Sequence, residues 1–168
     1  MLEFGIKREN EERRDGGAGV VFDPHSQRYA VGMSESGNMR LFSGGFNKSE
    51  DKKEGSLREV REESGLHDFL YVEKIDEVLC HFHNPLKNVN RVAHASCFLI
   101  ILKSASVVPA QLEEHEKFVL AWATPEEILK NWESINQEKD YDHWIYFLKK
   151  SVNKAIELGY DNSNKILV

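Results

Sequence analysis

The spacing of apolar positions changes along the chain, and each change predicts an element. A short apolar run, Ala18-Gly19-Val20-Val21-Phe22, is followed by the turn residues Asp23-Pro24-His25-Ser26-Gln27 and then by Arg28 to Met33, which predicts a strand hairpin. Met39 to Phe42 predicts a third short strand leading into Ser43-Gly44-Gly45. From Asp51 to Ser64 the period shifts to 3.6, with Asp51 and Glu54 spaced as a capping box and Ser64-Gly65-Leu66 as a stop. Gly55 is the weak position of this helix, at about 1 kcal/mol relative to Ala. Strands are predicted next at about Phe69 to Val72, Asp76 to Phe82 and Ala93 to Lys103, with a polar loop from His83 to Arg91, and then at Phe118 to Trp122. Thr124 caps a short helix that starts at Pro125 and runs to about Trp132, and an amphipathic helix covers about 142–159. Strands interleaved with helices point to an α/β sheet covered on both faces.

Composition narrows this only a little. The 168 residues are 40% apolar and 30% charged with a formal net charge of −6, the profile of one globular domain spanning 1–168. Residues 1–16 are charged and low in apolar content, and we expect a solvated lead-in. No apolar run is long enough to span a membrane and the N-terminus lacks a secretory apolar core, so a cytoplasmic protein is expected. The acidic balance argues against a nucleic-acid binder. Cys80 and Cys97 form no CxxC pair and read as reduced core thiols.

The candidate chemistry lies in the first helix. Glu59, Glu62 and Glu63 stand at i, i+3 and i+4, so three like charges share one face. The ordinary account of such a run is a solvated acidic face. The alternative is a cluster of hard oxygen ligands for Mg²⁺ or Mn²⁺, since neither His nor Cys is present to favour zinc. Arg58 reaches Glu62 at i+4 and offsets part of the repulsion. The glycine turn ahead of the helix lets the backbone approach the same spot.

The full spacing decides between the two accounts. Gly44, five residues, Glu50, seven residues, Arg58-Glu59-Val60, one residue, Glu62-Glu63, one residue, Gly65-Leu66 is a complete Nudix box, and the chain resembles the Nudix (MutT-like) hydrolase superfamily. This spacing arises by chance in such a chain with probability on the order of 10⁻⁷. The resemblance implies a Nudix-type α/β/α sandwich with a mixed β-sheet. It implies a pyrophosphohydrolase acting on a nucleoside polyphosphate or other nucleoside diphosphate derivative, with Mg²⁺ or Mn²⁺ as cofactor. Glu59, Glu62 and Glu63 would be the metal-binding carboxylates, the Gly44 carbonyl a further ligand, and Glu50 and Arg58 braces of the loop and helix. The general base would be a box glutamate or an acid in Leu112-Glu113-Glu114-His115-Glu116, with Glu114 and Glu116 favoured over Glu113. Two positions depart from the usual box: Asn47 and Ser49 stand where many members carry an acid and a glycine.

Other residues are weighed against bland accounts. Lys87 and Arg91 are candidate phosphate clamps, and His81 and His83, sharing a strand face, are candidates for contact with base or phosphate. Tyr29, Phe46 and Phe82 are candidates for stacking on a base, although core packing is the commoner fate of an aromatic side chain. Trp132, Trp144, Tyr146 and Phe147 are expected to pack the last helix on the sheet. Two further readings stay open: a non-catalytic nucleotide-binding Nudix regulatory module, and a prenyl diphosphate isomerase, which would need a reactive cysteine. A homodimer stays open as well.

Overall fold

The computed structural model describes residues 1–168. In chain order the elements are β1 (Glu3–Phe4), β2 (Glu12–Arg13), β3 (Gly16–Asp23), β4 (Arg28–Met33), β5 (Met39–Arg40), β6 (Phe42–Gly45), α1 (Lys52–Ser64), β7 (Phe69–Asn84), β8 (Val89–Leu102), β9 (Val119–Ala123), α2 (Pro125–Ile135) and α3 (Asp142–Glu157). A single 3₁₀ turn, Gln137–Lys139, joins α2 to α3. The main path through the mixed sheet is β1-β7-β8-β3-β4-β5, with β2 on β8, β6 on β3 and β9 on β4. The central pair, β3 with β8, is parallel, and where it is buried on both faces the paired residues 18–22 and 97–101 are apolar.

Helices cover the two faces of this sheet. On one side Leu57 and Val60 of α1 pack with Val21, Phe42, Ile100 and Leu102. On the other, Ile128 and Trp132 of α2 and Phe147, Leu148 and Val152 of α3 pack with Val20, Phe22, Val31, Leu99 and Ile101. Alternate residues of β3 therefore feed opposite cores, as the strand period requires. The Trp132 indole N–H donates to the Met39 carbonyl at 2.9 Å, which ties α2 to β5.

Four expectations change. The polar loop over 83–91 is a hairpin: β7 and β8 pair antiparallel from Phe69↔Leu102 to Asn84↔Val89, so the two strands expected within 69–82 are one strand with register shifts near Tyr71 and Asp76. The third strand divides at Leu41 into β5 and β6. Residues 1–16 are a docked segment, with β1 parallel to β7 and β2 parallel to β8. Sequence locality hides this docking, because its partners lie far along the chain: buried His81 bridges Glu3 at 2.7 Å and Glu11 at 2.8 Å, and Arg8 pairs with Glu138 and Asp140 at 2.9 Å each. Finally, Gly55 is no defect. A Cβ there would fall 2.6 Å from the Phe46 ring and 2.8 Å from Glu50 Oε1, so glycine is what lets the loop before α1 lie against the helix.

Candidate active site

α1 begins and ends where its sequence says. The Asp51 carboxylate accepts from the Glu54 N–H at 3.0 Å, and the C-cap Gly65 lies in the left-handed region with its N–H bonded to the Arg61 carbonyl. The helix period then puts Glu59, Glu62 and Glu63 on neighbouring positions, but each meets a different environment. Their side chains are 14%, 38% and 1% exposed respectively, a gradient from solvent into the sheet.

Arg58 organises the outer part. Its Nε and Nη2 donate to the two oxygens of Glu50 at 2.8 and 3.0 Å, a bidentate pair, while Nη1 reaches Glu59 at 3.0 Å and Glu62 at 3.1 Å. Nη2 also donates to the Gly45 carbonyl at 3.2 Å. Hydrogen bonds from Arg58, and then from the Asn47 N–H, pull the Glu50 carboxyl down to about 2. Glu50 and Arg58 thus join the loop to the helix, and Nη1 supplies positive charge between Glu59 and Glu62. Burial raises Glu59 above the usual carboxylate range, against the pull of Arg58.

Glu63 belongs to the inner part. It accepts from the Ser43 N–H at 2.7 Å and from Arg40 at 3.2 Å. Burial first, and then a hydrogen bond shared with Glu116, push its carboxyl up to about 9. Glu116 shifts the other way: the shared bond and the Glu113 contact outweigh its partial burial and lower it. The two carboxyls are thus shifted in opposite directions, Glu63 up and Glu116 down. Glu116 also adds to the negative potential at Glu59, so the segment before β9 converges on the α1 carboxylates.

These groups open on a cleft of about 690 Å³ that wraps round the start of β3 from the α1 face to the α3 face. Glu59, Glu62, Glu116, Gly44, Arg91, Lys87, His83 and Phe82 line it. Phe46 does not: its ring lies beside Gly17 and Gly55, filling the space between loop, helix and sheet, so it is a packing residue and not a base platform. Tyr29 is in the core with its hydroxyl bonded to Asp161 at 2.8 Å. Glu114 is absent from the cleft wall, whereas Glu113 and Glu116 are on it. Of the two clamp candidates, Arg91 is held by Glu12 at 2.8 Å and Lys87 has no carboxylate partner. His83 is bonded to Asn90 at 2.9 Å.

Arg14, Arg40, Tyr141 and His143, to which the sequence assigns no role, also line the cleft, as does Trp144, expected only to pack the last helix. Arg14 and Arg40 carried no motif. The signal for His143 was there: an imidazole one helical turn before Phe147 on the apolar stripe of α3. Both thiols are buried and pushed up to about 12, so the reactive cysteine that a prenyl isomerase would need is missing.

Nowhere do three His, Cys, Asp or Glu side chains form a preassembled metal cage. The reason is local: Nη1 of Arg58 stands between Glu59 and Glu62, and Glu63 spends its oxygens on Ser43 and Arg40. The donor set nonetheless fits a hard divalent cation. All the donors are oxygens, the cluster is anionic, and a Cβ at Gly44 would lie 2.3 Å from Glu59 Oε1, so only glycine leaves this carboxylate room beside the β6 backbone. The departure at Ser49 has a structural consequence too. Its φ is +61°, a conformation that favours glycine, so Ser49→Gly is expected to raise stability by about 0.5–1 kcal/mol in thermal unfolding.

No protein-family model and no curated protein matches the chain, but many solved structures do. The Nudix domain of Shewanella oneidensis NrtR, solved with ADP ribose, has a TM-score of 0.59 at 14% identity, over 83% of this chain and 88% of that one. A Caenorhabditis elegans Ap4A hydrolase, solved as a binary complex, has a TM-score of 0.59 at 14% identity, over 87% of this chain and 98% of that one. A Nudix hydrolase from Nitrosomonas europaea has a TM-score of 0.51 at 17% identity, over 73% and 79%. At such identities the likeness is one of architecture, and with the mixed sheet and helix-covered faces described above it shows that this chain has the Nudix fold.

Proposed function

We propose that the protein is a hydrolase of nucleoside diphosphate derivatives that works with Mg²⁺ or Mn²⁺. The observation that carries this reading is the convergence of the α1 carboxylates with Glu116 beside Gly44, on a cleft of nucleotide size. Glu59, Glu62 and Glu63, with the Gly44 carbonyl, would hold the cation, which when bound supplies charge neutralisation on the phosphoryl oxygens and a more acidic water. The chain's own groups do the rest. Lys87 and Arg14, cleft cations without a carboxylate partner, meet phosphate oxygens, and Arg91 adds a third positive side chain held in place by Glu12. Glu116, whose carboxyl is lowered and which lines the cleft, accepts the proton of the attacking water.

The test is a panel of nucleoside di- and polyphosphates, nucleotide sugars and dinucleoside polyphosphates with Mg²⁺, with products identified in ¹⁸O-labelled water. Turnover that disappears with chelator is the expected result; binding without turnover anywhere in the panel would replace the hydrolase by a nucleotide-binding module. On the substrate that emerges, Glu116→Gln is expected to lower kcat about 10²-fold or more and Glu114→Gln less than 3-fold, because only Glu116 faces the carboxylates. Equal losses in the two variants would remove Glu116 as the base.

A further inference from the structure

The α3 end of the cleft contains a feature that phosphate binding and hydrolysis leave unused. His143, in the first turn of α3, is 8% exposed, and its Nδ1 is the one buried side-chain nitrogen or oxygen in the chain without a hydrogen-bond partner. Its ring is set among aromatic faces: Phe82 lies parallel at 6.0 Å and 26°, Trp144 at 6.0 Å, and Phe147 edge-on at 6.2 Å. All four residues line the same cleft as Gly44 and Glu59.

A buried polar group without a partner costs stability, and a phenylalanine would fill such a core position without that cost. Burial holds the imidazole neutral, with its pKa pulled down to about 4, so at neutral pH it carries one N–H and one lone pair and no charge for phosphate. A half-turn about χ2 exchanges the two ring edges without moving the helix. What suits this corner is a flat, apolar-faced group with a hydrogen-bonding edge. A nucleobase brings a π-face for Phe82 and Trp144 and an edge for the imidazole, the two things this aromatic corner offers.

We propose that the α3 end of the cleft is a nucleobase pocket in which His143 makes the hydrogen bond that selects the base, while Phe82 and Trp144 supply its walls. This rests on the nucleotide reading above and assigns the end of the cleft away from the α1 carboxylates. The consequence is that the base is chosen by α3 and the diphosphate is handled by α1, from opposite faces of the sheet.

Metal-free binding tests this without any turnover. The probes are AMP, GMP, CMP, UMP and ribose 5-phosphate, with Trp144 fluorescence quenching as the readout in the full chain. At least one nucleoside monophosphate is expected to bind 10-fold or more tightly than ribose 5-phosphate. His143→Phe is expected to cut that preference about 5- to 10-fold, leave ribose 5-phosphate within 2-fold, and raise Tm by about 3 °C or more through removal of the orphaned nitrogen. His143→Gln, which keeps a donor and an acceptor, is expected to retain part of the preference and serves as the test if the Phe variant does not fold. An unchanged preference in His143→Phe, or in His143→Gln where the Phe variant does not fold, overturns the assignment; so does the absence of any base preference in the wild type. A chain that hydrolyses no diphosphate but still selects a base through His143 loses the activity and keeps this pocket.

Discussion

Replacing Glu59 with Gln is expected to lower turnover of a nucleoside diphosphate substrate by about 10³-fold while leaving the metal-free protein as stable as before, or slightly more so. The two effects separate because Glu59 sits in a place unfavourable to its own charge. Burial raises its carboxyl above the ordinary range, with Glu62 and Glu116 adding like charge nearby. The amide removes that repulsion and keeps an acceptor for Arg58 Nη1, now at 3.0 Å. What it removes is a hard anionic donor beside Gly44, where no other carboxylate can be moved in: a Cβ there would already lie within 2.3 Å of Oε1. Steady-state kinetics and thermal melts of the same preparation check both halves. A variant within 10-fold of wild type would take Glu59 out of the chemistry, and a large drop in Tm would make it a structural residue instead.

The second expected result concerns Arg58. Arg58→Met removes the donor that three carboxylates share, at 2.8 and 3.0 Å for Glu50, 3.0 Å for Glu59 and 3.1 Å for Glu62. Without it Glu50 loses its main charged partner, the Gly45 carbonyl loses a donor, and Glu59 and Glu62 face one another unshielded. In chelator, Tm is expected to fall by roughly 5 °C or more. Millimolar Mg²⁺ is expected to restore a substantial part of that loss in the variant and to raise the wild type less, because a cation bound as proposed would compete with Nη1 for Glu59 and Glu62 in the wild type. Equal stabilisation of the two proteins by Mg²⁺ would mean that the cation and Arg58 do not share ligands.

Both results depend on contacts of different range, and range explains what could be read in advance. The i, i+3, i+4 face of Glu59, Glu62 and Glu63, the Asp51 cap and the Gly65 stop are properties of one helix and survive unchanged from sequence to structure. The Thr124 cap of α2 does likewise, with the Glu127 N–H donating to its hydroxyl at 3.2 Å. The long hairpin of β7 and β8 reads in sequence as strand, strand and loop because the bulges near Tyr71 and Asp76 interrupt the period-two pattern, and because Pro85 to Asn88 has the composition of an open loop. Phe46, a stacking candidate for which packing is the commoner fate, is ambiguous in sequence because only the fold shows that Gly55 and Gly17 make room for its ring.

The docked N-terminus is a similar case. Charge alone suggested a solvated lead-in, and no local pattern in residues 1–16 reveals that His81 on β7 meets Glu3 and Glu11. That clamp sets the edge of the sheet beside β7 and brings Arg14 to the cleft wall.

By itself, the sequence determined the helix that carries the acids, the spacing of those acids, the glycine turn beside them and the alternation of strands with helices, because each is set by backbone period and by neighbours within a few residues. Only the tertiary structure decided which acid of the 113–116 segment faces the cluster, which carboxyls burial raises, which cations stand free in the cleft and that an imidazole on α3 waits there without a partner. Those outcomes depend on strand register and on desolvation, and both are created when residues distant in the chain are packed together.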